Sequence, residues 1–321
     1  MSVSSPTADD ATQAPALLSV RGVAKRFGRV QAVADVTLAL GGGEIVGFVG
    51  PNGAGKTTTM RIIAGLLRPD AGAGEILGMD LYADRQAIGR QVGYMPQKLA
   101  LYADLSVADN LRFRADIYGL PNARAAVEES IAAFGLGDYR KHHAGRLSGG
   151  WARRLQLAAT LIHRPRLVLL DEPTAGLDAE SRHDVWLRIA RLARAGAGVI
   201  INTHDLGEAE QCTRVALFAE GRILAEGAPD ALSRALPMQA LLLEGPTAHE
   251  LAAEACAVEG VLAAYPEGRR LRVLAKPGAD IGVRALAEAS GLTAETAERR
   301  FEDTAFVAVQ RRSAPLHGVE A

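Results

Sequence analysis

The run GPNGAGKT, Gly50 to Thr57, is built for phosphate chemistry. It fits Gly-x-x-x-x-Gly-Lys-Ser/Thr at every fixed position, between a short apolar run (EIVGFVG) and one with helical spacing (MRIIAGLL). Gly50, Gly53 and Gly55, with Pro51, Asn52 and Ala54 between them, let the loop turn its backbone N–H groups inward around a phosphate, Pro51 shaping the turn without an N–H of its own. A helix that begins after Gly55 points its positive end at the same oxygens. Lys56 adds a point charge for the β- and γ-phosphates, the Thr57 hydroxyl is placed to hold Mg²⁺, and Thr58 follows in the first turn.

A second stretch, RLVLLDE, puts Asp171 and Glu172 at the end of an apolar strand. In a parallel sheet that end lies beside the phosphate loop. Asp171 can then orient Mg²⁺ and its waters. The two-residue alternation of a strand turns Glu172 the other way, toward a water beyond the γ-phosphate, where a carboxylate accepts a proton or holds the water in line. A third stretch, LSGGW (Leu147 to Trp151), reads as a helix start. Ser148, Gly149 and Gly150 there offer free N–H groups to an anion, but nothing in the stretch says whose anion.

Positioning these groups requires an alternating β/α chain. LLSVRGVAKRF and VQAVADVTLAL read as two strands, EIVGFVG as a third, and GEILGMDL and QVGYMPQ as further short ones. Residues from about Ser106 to about Phe134 read as two helices broken at Gly119, Leu120 and Pro121, and a further helix starts at Gly149 or Gly150. RLVLLD, GVIINTH, RVALFAE and RILAEG are strands, with AESRHDVWLRIARLARAG and DLGEAEQC as helices between them. The alternation predicts an α/β fold with a mainly parallel sheet. The texture changes after Pro229, and residues 237–321 read as strand, helix, strand, helix: a small α/β accessory domain. Residues 1–16, polar and rich in small residues, are expected to be a disordered tail without the features of a secretory signal.

Taken together, GPNGAGKTTT, LSGG and LVLLDEPTAGLD, in this order and spacing, resemble the nucleotide-binding subunit of an ABC transporter over residues 17–236. The resemblance implies a P-loop NTPase fold with an antiparallel β subdomain and an inserted helical subdomain over about residues 98–163. It implies ATP and Mg²⁺ as ligands, and it adds site residues. Gln97, in GYMPQ, matches a glutamine that contacts Mg²⁺ and the attacking water and moves with the membrane partner. His204, in NTHD, matches a histidine that reaches the γ-phosphate. Asp178, in AGLD, matches a loop that crosses to a second subunit, and it is equally placed to cap the helix that follows. Phe27, in KRFG, matches an aromatic that stacks on adenine, while a core position for that ring is also open. Tyr102 and Leu105 fall in a segment that resembles the one expected to touch a permease, and the same run reads equally as a helix N-terminus capped by Ser106. Leu147, Ser148, Gly149 and Gly150 would bind the γ-phosphate of ATP held by the partner chain in a head-to-tail dimer.

LSGGW followed by two arginines, together with RRFEDTAF (Arg299 to Phe306), is most similar to bacterial ABC-2-type exporter ATPases. The expected function is therefore ATP hydrolysis that powers an exporter. The implied setting is a homodimer with a separate polytopic permease, peripheral on the cytoplasmic face of the bacterial membrane. Two alternatives compete with it: a soluble ABC-type ATPase acting on ribosomes or nucleic acid, and a regulator with a dead site. Lys56, Asp171, Glu172 and His204 are all present, against the second alternative. A formal net charge of −1 over 321 residues gives no electrostatic reason for nucleic-acid binding, against the first. The two cysteines, Cys212 and Cys256, suit a reducing compartment, and no apolar run approaches the length of a bilayer span.

Overall fold

Strands β1 (Leu18–Phe27) and β2 (Val30–Leu40) form an antiparallel hairpin with one buried face, as their alternating pattern requires. The chain is described by a computed structural model over residues 16–310. All but the last residue of the expected disordered tail, and residues 311–321 of the accessory region, lie outside the described residues. β3 (Ile45–Val49) is buried at every position, the mark of a central parallel strand, and runs into the glycine loop and α1 (Lys56–Ile63). β4 (Ala71–Ile76) and β5 (Met79–Asp80) extend the antiparallel part, and α2 (Arg85–Gln91) leads to β6 (Val92–Met95).

The helical insertion follows. Ser106 caps α3 (Val107–Ile117) by accepting from the Asp109 N–H, and Asn122 caps α4 (Ala123–Ala133) in the same way. α5 (Gly149–Leu161) carries the chain back to β7 (Leu167–Asp171), followed by α6 (Ala179–Arg194), β8 (Gly198–Asn202), α7 (Leu206–Ala209), β9 (Arg214–Ala219), β10 (Arg222–Gly227) and α8 (Pro229–Ala235). The ten strands run in the order β5-β4-β1-β2-β10-β9-β3-β8-β7-β6. β9, β3, β8, β7 and β6 pair in parallel, so their C-terminal ends share one edge of the sheet. That edge carries the glycine loop, Asp171 and Asn202. This is the α/β P-loop architecture expected from the sequence, with its antiparallel and helical subdomains.

The accessory region holds more than the alternating pattern revealed. β11 (Gln239–Glu244), α9 (Ala252–Ala257), β12 (Val261–Glu267), β13 (Arg270–Ala275), α10 (Asp280–Ala289) and β14 (Thr293–Ala297) follow one another in βαββαβ order. Their sheet is antiparallel throughout, in the order β12-β13-β11-β14, which is the ferredoxin-like arrangement. β12 and β14 were not expected. Both are edge strands, one holding Pro266 and the other the polar run TAETA, and edge strands lack the continuous apolar signal of central ones.

A last helix, α11 (Phe301–Gln310), lies between the two units. Phe301 and Ala305 join the core of the larger unit together with Leu232, Val215 and Leu217. Val307 and Phe306 join the apolar face of the smaller sheet with Ala240, Ala263 and Leu274. Asp303 is fully buried and pairs with the buried Arg272 of β13 at 2.7 Å, and it also accepts from the Tyr265 hydroxyl at 2.6 Å. Arg299 donates to the Leu236 carbonyl at 2.9 Å, and Arg300 pairs with Glu267 at 3.0 Å. The RRFEDTAF segment is therefore a clasp between the units, rather than a plain part of the accessory domain.

Candidate functional site

The glycine loop has the conformation its composition allows and most others forbid. A Cβ on Gly50 would lie 2.1 Å from the Phe218 carbonyl oxygen, and one on Gly55 2.4 Å from that of Ala32. Both have positive φ, at 152° and 99°. Lys56 opens α1, buried, with its Nζ donating to the carbonyls of Gly50 at 2.6 Å and Pro51 at 2.9 Å. Burial lowers its pKa, against the opposing pull of Glu172 and Asp171.

Residues 50–58 line a cavity of about 780 Å³ together with Gln97, Glu172, Asn202 and His204. The expected phosphate loop and three of the expected catalytic side chains thus meet at one opening. Asp171 lies just beneath, buried, and its carboxylate accepts from the Thr57 hydroxyl at 3.0 Å and from the Asn202 amide.

The backbone at Glu172 departs from the strand alternation that was expected to aim it. β7 ends at Asp171, and Glu172 adopts a left-handed backbone with φ 50°. A left-handed turn, and not the pleat of a strand, directs its side chain. The Glu172 N–H donates to the Asn202 carbonyl at 2.9 Å, which fastens the turn to β8. Its two carboxylate oxygens face different partners: Gln97 Nε2 donates to Oε2 at 2.7 Å, and His204 Nδ1 lies 3.4 Å from Oε1. The three side chains come from the ends of β6, β7 and β8.

Two supporting groups escaped the sequence reading. Asn202 links Asp171 to β8, and the NTHD run that drew attention to His204 held it in plain sight. Glu208, buried at the start of α7, accepts from the hydroxyls of Thr174 and of Thr203, the latter at 2.8 Å. It ties the loop after Glu172 to the loop that carries His204. A buried acid within a short helix is visible as such only once its two threonine partners are in place.

The remaining expected residues lie away from the cavity. Phe27, at the end of β1, is 49% exposed and lines neither the cavity nor a core, which removes the core alternative. Val30 and Ala32 line the opening instead. Leu147, Ser148, Gly149 and Gly150 form the start of α5 and do not reach the cavity. Ser148 is the N-cap residue, yet its hydroxyl makes no capping bond, and Ser148 and Gly149 are exposed. Trp151 packs back onto the helical insertion, its ring 4.2 Å from that of Tyr139, with the Arg154 guanidinium 4.3 Å over its face. Asp178 caps α6, accepting from the Ser181 N–H at 2.8 Å and hydroxyl at 2.9 Å, and these bonds lower its pKa. Tyr102 is exposed and meets Phe113 edge-on at 4.7 Å, while Leu105 is half-buried.

Comparison with known proteins points one way. The family described as ABC transporter matches residues 33–175. The probable multidrug ABC transporter ATP-binding protein YbhF of Escherichia coli (strain K12) is 40% identical over 70% of the chain, and the chain spans only 39% of that relative's length. The daunorubicin resistance ATP-binding protein DrrA3 of Streptomyces coeruleorubidus is 38% identical over 67% of the chain and 69% of its own length. Among solved structures, the dimeric post-hydrolysis state of the ATP-binding cassette MJ0796, bound to ADP and Pi, aligns with a TM-score of 0.61 at 25% identity, over 66% of the chain and 98% of its own.

Proposed function

This chain belongs to the ATP-binding proteins of ABC transporters, and from that premise we propose that it binds and hydrolyses MgATP to power an exporter built on a separate membrane permease. The observation that carries the reading is the grip of Gln97 and His204 on the two oxygens of Glu172 at the mouth of the glycine loop. The loop and Lys56 bind the β- and γ-phosphates, and Glu172 takes the proton of the attacking water while Gln97 and His204 hold its carboxylate in place. The Thr57 hydroxyl, the Asp171 carboxylate and the Gln97 amide offer the oxygen donors a hard cation prefers. Mg²⁺ held there would offset charge on the β- and γ-oxygens.

The exposed, uncapped start of α5 has free N–H groups and no nucleotide of its own. It binds the γ-phosphate of a second copy in a head-to-tail dimer, with Asp178 at the seam and Phe27 as the platform for adenine. The dimeric state of MJ0796 and the names of the multidrug and daunorubicin-resistance relatives support this transport reading over action on ribosomes or nucleic acid. No helix among the described residues is long and apolar enough to cross a membrane. In this reading the permease is a separate chain and the subunit works at the cytoplasmic face.

Glu172→Gln tests the reading. Phosphate release is expected to fall about 10²-fold or more, with ATP affinity retained and a nucleotide-bound dimer accumulating in gel filtration. Hydrolysis at the parent rate would remove Glu172 as the base.

A further inference from the structure

α5 turns two buried polar side chains toward the Gln97 loop, Arg153 and Gln156, which are 7% and 3% exposed. They stand three residues apart, on one face of the helix. Gln156 Nε2 donates to the carbonyls of Pro96 at 3.1 Å and Lys98 at 3.0 Å, on either side of Gln97. Arg153 Nη1 donates to the Gln97 carbonyl at 2.7 Å and to Gln156 Oε1 at 3.1 Å. Three consecutive carbonyls are therefore held by one turn of one helix.

The choice of arginine needs an explanation. Among the described residues Arg153 has no carboxylate partner, and its nearest balancing charges are the more distant Glu172 and Asp171. Burying a guanidinium in that way is costly. Filling the space would ask only for an apolar side chain, such as Leu155 and Leu157 on the same helix. What arginine adds is a charge-assisted bond to the backbone of the residue whose side chain touches Glu172.

The same helix begins with Ser148, Gly149 and Gly150, about one turn before Arg153. We propose that Arg153 and Gln156 are positioning residues that fasten the Gln97 loop to the helix start, so that the place of Gln97 in one nucleotide site is tied to how that helix start meets the other. This rests on the ATPase reading above. Neither residue touches nucleotide; each acts through Gln97.

A double-mutant cycle on the full chain separates this role from plain core packing. Phosphate release and ATP affinity are measured for the parent, Arg153→Met, Gln97→Ala and the double variant. Arg153→Met is expected to lower kcat about tenfold while the ATP Kd stays within about twofold, and Arg153→Lys to recover about a third or more of the lost rate. In the Gln97→Ala background the same Arg153→Met change is expected to cost less than about twofold, because its route of action is already gone. An equal loss in both backgrounds, or a fall in ATP affinity that matches the fall in rate, overturns the assignment. If Arg153→Met does not fold, Gln156→Leu enters the same cycle with an expected loss of about threefold, again confined to the Gln97 background and overturned by equal losses. A parent chain that releases no phosphate overturns the ATPase reading, and this inference with it.

Discussion

Glu172 carries its carboxylate on a left-handed backbone turn, with φ 50°. The DE pair announced two carboxylates at a strand end, and both are there. The left-handed turn at Glu172 was hidden, because nothing in the letters favours φ 50° over extended backbone. Such a turn costs about 1–3 kcal/mol and persists because neighbours hold it, here the bond to the Asn202 carbonyl and the grip of Gln97 and His204. His163 supports a prediction of another kind. It stacks on Tyr118 at 3.7 Å, and burial, with Arg114 nearby, pushes its pKa from 6.5 down to about 4. Between those two values the unfolded chain binds a proton that the folded chain refuses, so stability falls as pH drops through that window. His163→Phe keeps the stack and removes the proton. Its denaturation midpoint is expected to change less than the parent's between about pH 7 and about pH 5. A variant as pH-sensitive as the parent would mean that other groups set the slope.

Among the elements, strands and helices with strong periodicity followed the sequence closely, from β1 to α6. The exceptions share a cause: their partners are distant in sequence. α5 carries Arg153 and Gln156 inward although polar residues on such a helix are ordinarily read as facing solvent, and only the Gln97 loop explains it. α11 was grouped with its chain neighbours, yet its Phe301 and Ala305 belong to the core of the larger unit. Its ion pair gives a direct test of the clasp. Asp303→Ala leaves the buried Arg272 with only the longer Glu267 contact at 3.5 Å and is expected to lower stability by about 3 kcal/mol in denaturant unfolding. Replacing both, Arg272→Met with Asp303→Leu, is expected to recover much of that loss. A loss under about 1 kcal/mol for Asp303→Ala would mean that the pair is not what holds α11 in place.

For the whole molecule, the separation of the α5 start from the cavity is the feature on which the proposed head-to-tail dimer rests. Ser148→Arg places a long cation where the partner's γ-phosphate would dock. Hydrolysis is expected to fall about tenfold or more, while calorimetry on the monomer finds ATP affinity unchanged. Full turnover in that variant would mean that each site works alone. The clasp has a further consequence, for the order in which the protein is made. A ribosome releases the larger unit first, and such units usually fold as they emerge. Here Phe301 and Ala305, which complete the apolar layer beside β9 and α8, arrive only after β14 has left the ribosome. The unit synthesised first therefore waits for the last helix, as the smaller sheet waits for Phe306 and Val307, and until then Leu232, Val215 and Leu217 lack the cover that α11 brings.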